Sequence, residues 1–412
     1  MREMKDSGIE WIGQIANTHK LVRLKYIAEI LDEYRKPVTA QYRNQNADIL
    51  YDYYGASGII DKIDGYTIDD HVMLIGEDGA NLKLRNLPLM YEVCGKAWIN
   101  NHAHILKPMK NVDFYYLFYA LESLDINNYI TGSAQPKLNQ ENLKEILIPL
   151  PSYGIQRKVA SYLDTKCSEI DATAEDIQKE ISLLEEYKKS VITEAVTKGL
   201  NPDAEMKDSG IEWVGKVPVT WKIMPNKYIM TKKKVIKEVY DDENIISLSM
   251  NGVIVRDLEA GGKMPKTFDG YQIVYPGNLL MCLFDYDVTP RCIGLIKDYG
   301  VTSPAYSQFV MNNDNYSGYY YYYYLMIDHA KTLLHLAKNL RHSFTEEQLG
   351  AILAPVPTVE EQYQIVNYLD TKCSEIDTLI ADKKRQLDTL ADYKKSLIYE
   401  YVTGKKEVPV NE

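Results

Sequence analysis

Residues 162–171 read YLDTKCSEID, and residues 368–377 read YLDTKCSEID again without a single change. A second segment behaves the same way: residues 5–13, KDSGIEWIG, return at 207–215 as KDSGIEWVG, with Val214 in the place of Ile12. Two ordered matches at similar separations define a duplication. Its period of roughly 200 residues far exceeds the 20–50 of solenoids and propeller blades, so each copy must be a whole domain with its own appended element.

The repeated decapeptide opens a helical part in each copy. Ile148, Pro149, Leu150 and Pro151 stop the globular part in the first copy, and residues 354–357, APVP, stop it in the second. After each stop come a short amphipathic segment and a long run without proline or glycine. In the first run Ile170, Ala174, Ile177, Ile181, Leu184, Lys188, Val191 and Ala195 recur at steps of four and three; in the second, Ile376, Ile380, Lys383, Leu387, Leu390, Lys394, Leu397 and Tyr401 do so. This is a heptad seam about three and a half heptads long. Lys188 and Lys394 hold the same seam position, and a polar residue there fixes register and pairing, so the two helices are expected to pair with each other. Runs of about 35–45 residues make rods of roughly 50–65 Å. Antiparallel pairing would set the two globular domains at opposite ends. Tyr162, Leu163, Ile177, Leu184, Lys188, Tyr368, Leu369, Leu387, Leu390 and Lys394 are the candidates for helix pairing.

The globular parts have a different texture. Residues 52–66, DYYGASGIIDKIDGY, and 71–80, HVMLIGEDGA, read as short strands and turns, as do 247–255, SLSMNGVIV, 271–284, YQIVYPGNLLMCLF, and 292–301, CIGLIKDYGV. The aromatic runs at 114–119 and 319–324 read as core-packing helices whose hydroxyls reach the surface, because six tyrosines in a row cannot all face one ligand. The fold class is therefore α+β. Residues 1–154 and 202–357 form two globular domains, with spacer helices at 155–201 and 358–412.

Composition narrows the class of protein. With 45% hydrophobic and 25% charged residues, a chain of 412 can bury two or three cores. The N-terminus is charged with no apolar run after it, and no stretch suits a membrane span, so a cytoplasmic location is expected. The five cysteines form no CxxC pair and read as reduced, mostly buried thiols. A net charge of −11 argues against nucleic acid as a partner, but its distribution is uneven. Residues 1–154 carry 16 basic against 20 acidic side chains, whereas residues 207–356 carry 16 of each. Within the second set, Lys222, Lys227, Lys232, Lys233, Lys234 and Lys237 lie in a stretch without a carboxylate, which fits either a cationic patch or a solvated edge.

Divergence between the copies carries its own inference. The helical parts match while the globular parts do not superpose outside their ends. A surface that binds one partner twice stays the same after duplication, and a surface that binds two different ligands changes. The pattern implies one kind of partner docked twice along the helices and a different ligand for each globular domain; relaxed constraint on one globular domain would leave a similar pattern.

At these residues the chain resembles the DNA specificity subunit of type I restriction-modification systems. The resemblance spans essentially the whole chain: the two KDSGIEW entries, 132–151 GSAQPKLNQENLKEILIPLP, 155–171 IQRKVASYLDTKCSEID and 185–200 EEYKKSVITEAVTKGL, then 339–357 NLRHSFTEEQLGAILAPVP, 360–377 and 391–404 in the second copy. Ser133, Ala134, Gln135 and Pro136 become Asn339, Leu340, Arg341 and His342, a departure from the repeat. The resemblance implies a non-catalytic protein whose two recognition domains each read half of a bipartite, asymmetric site on double-stranded DNA. It further implies that the helices dock two adenine methyltransferase (modification) subunits, with restriction subunits able to add, and that S-adenosylmethionine is held by the methyltransferase, with no cofactor in this chain. The helix-pairing candidates then double as methyltransferase-docking candidates. A reading from another class is a scaffold that bridges two different proteins without contacting DNA.

The residues themselves offer little catalytic chemistry. No Asn/Asp-Pro-Pro-aromatic turn is present, Lys96 and Lys263 lack the Ser or Thr of a P-loop, and the Glu186-Tyr187-Lys188 fragment falls on the helical seam. His102 and His104 stand two apart with no third ligand at metal spacing. Asn100, Asn101, His102 and His104 fit either a DNA-facing loop or satisfied, partly buried positions. Tyr54, Gly55 and Ser57, in the Gly-rich 54–58, fit a phosphate approach or a tight turn. Ser133, Gln135 and Lys137 precede a helix-like stretch at 139–146, and Arg341, His342 and Ser343 hold the equivalent place in the second copy. These residues, with Lys232, Lys233 and Lys234, are the DNA-binding candidates.

Overall fold

The computed structural model describes residues 3–42, 49–132, 135–259, 265–337 and 342–409. Two continuous helices dominate it, Tyr153–Lys198 and Val359–Val402, of 46 and 44 residues. The amphipathic segment and the long run of each copy are thus one helix, because nothing after the proline stops breaks it. Contacts divide the chain into two compact units, residues 1–178 with 385–412 and residues 179–384. The boundary falls inside both long helices, so each unit owns the start of one and the end of the other.

In the first unit an antiparallel pair, Met4–Asp6 with Gln14–Ala16, leads into Lys20–Arg23, which pairs with Leu147–Leu150 and closes the globular part onto the long helix. Between them lies a six-stranded sheet in the order 28–30, 103–108, 68–76, 90–99, 51–55, 58–63. The sheet coils back on itself. Gly76 ends one strand so close to the turn of another that a Cβ there would stand 2.7 Å from the Ala56 carbonyl oxygen. Ile68, Val72, Leu74, Val93, Ile99 and Ile105 fill the inside of the curl. Its outer face packs Met73, Ile75 and Leu106 against the aromatic helix Phe114–Glu122, which in turn meets Leu163, Cys167, Leu397 and Ile398 of the long helices.

The second unit repeats this frame and changes its contents. Met206–Asp208 pairs with Lys216–Pro218, and Lys222–Pro225 with Leu353–Val356. Its strands are short and divided among a four-stranded sheet, in the order 230–233, 307–311, 279–281, 293–295, and two separate pairs, Ile246–Ser249 with Gly252–Val255 and Gln272–Val274 with Gly300–Thr302. The tyrosine run is the helix Ser317–His329. Tyr319, Tyr320, Tyr322, Tyr323 and Tyr324 are buried, as a core-packing helix requires, but their hydroxyls mostly end on internal groups rather than at the surface. Tyr319 donates to the Val196 carbonyl at 2.8 Å and Tyr322 to Asp370 at 2.7 Å. Such partners offset the cost of burying a phenol, and desolvation drives the Tyr319 hydroxyl well above its ordinary pKa.

All five cysteines are unpaired thiols; Cys94 is exposed and the other four are buried. No helix among the described residues is long and apolar enough to cross a membrane.

Candidate nucleic-acid interface

The coiled sheet of the first unit gathers its candidates on one rim. The turn at Ala56 and Ser57, the end of the strand at Gly76, the turn at 100–102 and the segment 135–138 are tied together by main-chain bonds. The Asn100 amide donates to the Tyr54 carbonyl at 3.1 Å, Glu77 to His102 at 2.8 Å, Leu138 to Glu77 at 2.7 Å and Gly79 to Pro136 at 3.1 Å. Ser57, Asn101, His102, Gln135 and Lys137 are exposed there, and Tyr54 is half-buried. Ser133 lies outside the described residues.

A charged network beneath the rim fixes these loops. His104 Nδ1 sits 2.7 Å from Asp32 Oδ2 and its Nε2 sits 2.8 Å from the Leu138 carbonyl. Asp32 also accepts from the Ile105 amide at 3.1 Å, from Gln140 at 3.1 Å and from Arg35 at 3.1 Å. Arg35 bridges to Glu77, and Lys137 reaches Glu77 Oε1 at 2.9 Å. Burial pushes the Asp32 carboxyl up, but the His104 hydrogen bond, the His104 charge, the Ile105 amide and Arg35 together leave it below its ordinary value. Glu77 follows the same logic: burial raises it, and Arg35 and Lys137 bring it below the usual carboxylate range.

This geometry corrects three expectations. His104 is 1% exposed and Asn100 4%, so neither presents its side chain to a ligand; Asn100 instead accepts from the His102 amide at 2.7 Å and shapes the turn. Gly55 is buried, with Ile60 Cδ1 3.0 Å from where a Cβ would stand, so its lack of a side chain serves packing rather than an approach to phosphate. The two histidines also serve separate partners, because His102 Nδ1 lies 2.7 Å from Asp78 Oδ2 while His104 turns to Asp32. Asp32, Arg35, Glu77 and Asp78 were not singled out from the sequence, since they meet only through the curl of the sheet.

The second unit disperses its candidates. Lys232 is matched by Glu346, and Lys233 stacks 3.7 Å over the Tyr275 ring, so the lysine patch is partly neutralised; Lys234 is exposed. His342 Nδ1 pairs with Asp287 at 2.8 Å, and the backbone beside Ser343 is pinned by Phe344 N donating to Leu283. Arg341 lies outside the described residues.

The helix candidates divide into buried and half-buried sets. Leu163 and Leu369 are fully buried in the cores of their own units, so they face inward and have no surface to offer a docking protein. Ile177 is also buried, while Leu184, Leu387 and Leu390 are half-buried and Tyr368 is exposed. Tyr162 meets Tyr401, ring centroids 4.6 Å apart. The seam lysines pair across helices: Lys188 with Asp377 at 2.6 Å and Lys394 with Asp171 at 2.6 Å. Lys383 reaches Glu180 similarly at 2.5 Å. Partners fall in number on one helix as they rise on the other, so the long helices run antiparallel within each unit.

The structure defines a duplicated α+β chain with a common helical frame and two dissimilar sheet assemblies. Residues 17–183 match the family described as the type I restriction modification DNA specificity domain. The chain is 24% identical over 336 residues to the type I restriction enzyme MjaVIII specificity subunit of Methanocaldococcus jannaschii, covering 76% of each protein. It is 32% identical over 141 residues to the Haemophilus influenzae protein named type I restriction enzyme specificity subunit S.HindORF215P, a match that spans about a third of either chain, 34% of this one and 35% of the other. Its fold is similar to that of a chain solved in work on complex assembly of the type I R-M system, with TM-score 0.68, 12% identity, and 95% and 99% of the two chains covered. Over these stretches the chain is similar to type I restriction enzyme specificity subunits.

Proposed function

We propose that this chain is the non-catalytic DNA-reading subunit of a type I restriction-modification complex. Residues 1–154 and 202–357 serve as target-recognition domains for the two halves of a bipartite site on duplex DNA, and the helices at 155–201 and 358–412 carry two modification subunits. Those subunits hold S-adenosylmethionine and perform the methylation; this chain supplies the address.

One observation supports this most strongly: the repeated decapeptide is identical on its solvent side as well as its buried side. Leu163, Cys167 and Ile170, like Leu369, Cys373 and Ile376, are retained for packing. Packing does not explain Ser168 and Ser374, or the ion pairs Lys166–Glu169 and Lys372–Glu375 at 3.1 and 2.8 Å, which face solvent in both copies. An exposed strip kept twice fits one partner docked twice, whereas the dissimilar sheets fit two different half-sites. The net charge of −11 makes high affinity depend on that partner, which can supply the positive channel the chain lacks.

Mapping N6-methyladenine across the host genome with and without this gene tests the proposal. The expected result is loss of one bipartite, asymmetric motif. An unchanged map, repeated with the cognate modification subunit co-expressed, would overturn it.

A further inference from the structure

At the same place in both units an open cleft lies where the aromatic helix meets the end of a long helix. Phe118, Tyr119, Glu122 and Lys394 line it in the first unit, and Tyr321, Tyr322, Leu325 and Lys188 stand at the matching positions in the second. Position is shared; charge is not. In the first cleft Arg85 is answered by the Glu122 carboxylate at 3.4 Å, and Lys394 by Asp171. Glu122 is fixed further by accepting the Leu89 and Met90 amides, each at 2.8 Å.

The second cleft places Arg291 there, with neutral acceptors alone among the described residues. Its guanidinium donates to Ile293 O at 3.2 Å, to Met250 O at 3.1 Å and to the Tyr321 hydroxyl at 2.5 Å. Half-buried, held on three sides and packed over Gly252, it keeps N–H groups to spare, because a guanidinium has five. Lys189 and Lys384 line the same cleft, both exposed. Of the lining carboxylates, Asp377 is taken by Lys188, which leaves Glu185 against three cations. His329 reports the resulting field: burial first, then the charge of Lys189, with Arg291 and Lys188 adding to it, hold its imidazole down to about 4 against the opposing pull of Asp328.

We propose that this second cleft binds a phosphate group, gripped by the preorganised fork of Arg291 with Lys189 and Lys384 as charge partners. A guanidinium fork matches phosphate geometry, and the phenol of Tyr321 and the side chain of Asn251 can complete the shell. The phosphate can come from the DNA backbone or from a free phosphate or nucleotide. Only the first source rests on the DNA-reading function proposed above.

The test uses the full chain in two arms. In one, target-duplex affinity with the cognate modification subunit bound is measured against salt for wild type, Arg291→Ala and the double variant Lys189→Ala/Lys384→Ala. In the other, the chain alone is titrated calorimetrically with inorganic phosphate and with ADP. A backbone phosphate predicts that the log–log salt slope falls by about one per contact removed. A free phosphate predicts saturable binding by the chain alone that Arg291→Ala abolishes, with the slope unchanged. Unchanged slopes together with no saturable binding would overturn the proposal. Should Arg291→Ala fail to fold, the double variant still decides, because both lysines lie on exposed helix surface. Sequence-independent binding by the wild type would refute the DNA-reading function while the titration arm still judged the cleft.

Discussion

The junction between globular part and long helix is alike in the two units down to atom pairs, and the sheets it supports are not. Tyr119 donates to Asp164 at 2.9 Å and Tyr322 to Asp370 at 2.7 Å. Gln156 accepts from the Asp113 amide at 2.9 Å and donates to Pro151 at 2.9 Å; Gln362 accepts from Tyr316 at 2.7 Å and donates to Pro357 at 3.1 Å. Tyr116 and Tyr319 both bond a carbonyl near the end of a long helix, Val402 and Val196. A buried glutamine with four bonding positions tolerates few neighbours, so this junction is constrained by its own satisfaction. The sheets hang from it with their far loops free to vary. The frame thus explains how one scaffold can carry two unlike surfaces.

The largest expected effect tests the likeness of the frame. Leu163→Ala and Leu369→Ala each open a cavity at a fully buried, repeat-related site and should each cost about 2–5 kcal/mol. Hydrogen exchange followed by mass spectrometry reads each unit separately. Loss of protection in the unit that holds each leucine, and of similar size, is expected; a strong effect from one and none from the other would show that the frames are alike in sequence alone.

The next effect should appear in the first unit only. Asp32→Asn weakens charge-assisted bonds to His104, Ile105 and Arg35, at a cost of about 1.5–3 kcal/mol near neutrality. Because the folded carboxyl is held below its ordinary value of 3.8, its contribution is fully present above that value and is lost as pH falls through the lowered one. Wild type and Asp32→Asn should therefore differ most at neutral pH and converge in acid. Equal separation at every pH would remove the carboxylate network from the account of the rim.

The long helices were legible because their evidence is local: a proline stop, an unbroken run and a seam at steps of three and four. The rim was only partly legible. Ser57, Asn101, His102, Gln135 and Lys137 could be picked out as polar residues in loops, but their anchors Asp32, Glu77 and Asp78 lie far from them in sequence. His104 was misread for a specific reason. Its strand, Ala103–Pro108, begins with Ala103, His104, Ile105 and Leu106 all buried, because a coiled sheet covered outside by a helix leaves no solvent face for alternation to report. Nor could residue order show that Gly76 would meet Ala56.

A smaller, half-site effect sharpens the contrast between the rims. His102 Nδ1 lies 2.7 Å from Asp78, and in the neutral ring a proton held there for Asp78 would leave the other nitrogen of this half-exposed histidine as an acceptor that a base amino group could meet. Asp78→Asn releases that tautomer. On duplexes substituted one base at a time, discrimination should drop by about tenfold, in keeping with the 1–3 kcal/mol of a good base contact, and only within the half read by the first unit. Equal loss in both halves would mean that Asp78 acts on the fold as a whole.

The smallest effect concerns the two lysine–aspartate clasps. Asp171 and Asp377 are 61% and 58% exposed, so solvent screens each pair and a coupling of no more than about 1 kcal/mol is expected. Their value is in specification. A lysine at a seam position disfavours any register that leaves it without its aspartate, and both clasps demand the same register. Double-mutant cycles on Lys188 with Asp377 and on Lys394 with Asp171 should give couplings equal within error, and exchanging each lysine for aspartate and its partner for lysine should restore most of the loss. Unequal couplings would show that one clasp is set by its surroundings rather than by the repeat. That outcome would divide the frame, leaving the tyrosine and glutamine bonds of the junction as the only part the duplication has kept energetically as well as geometrically.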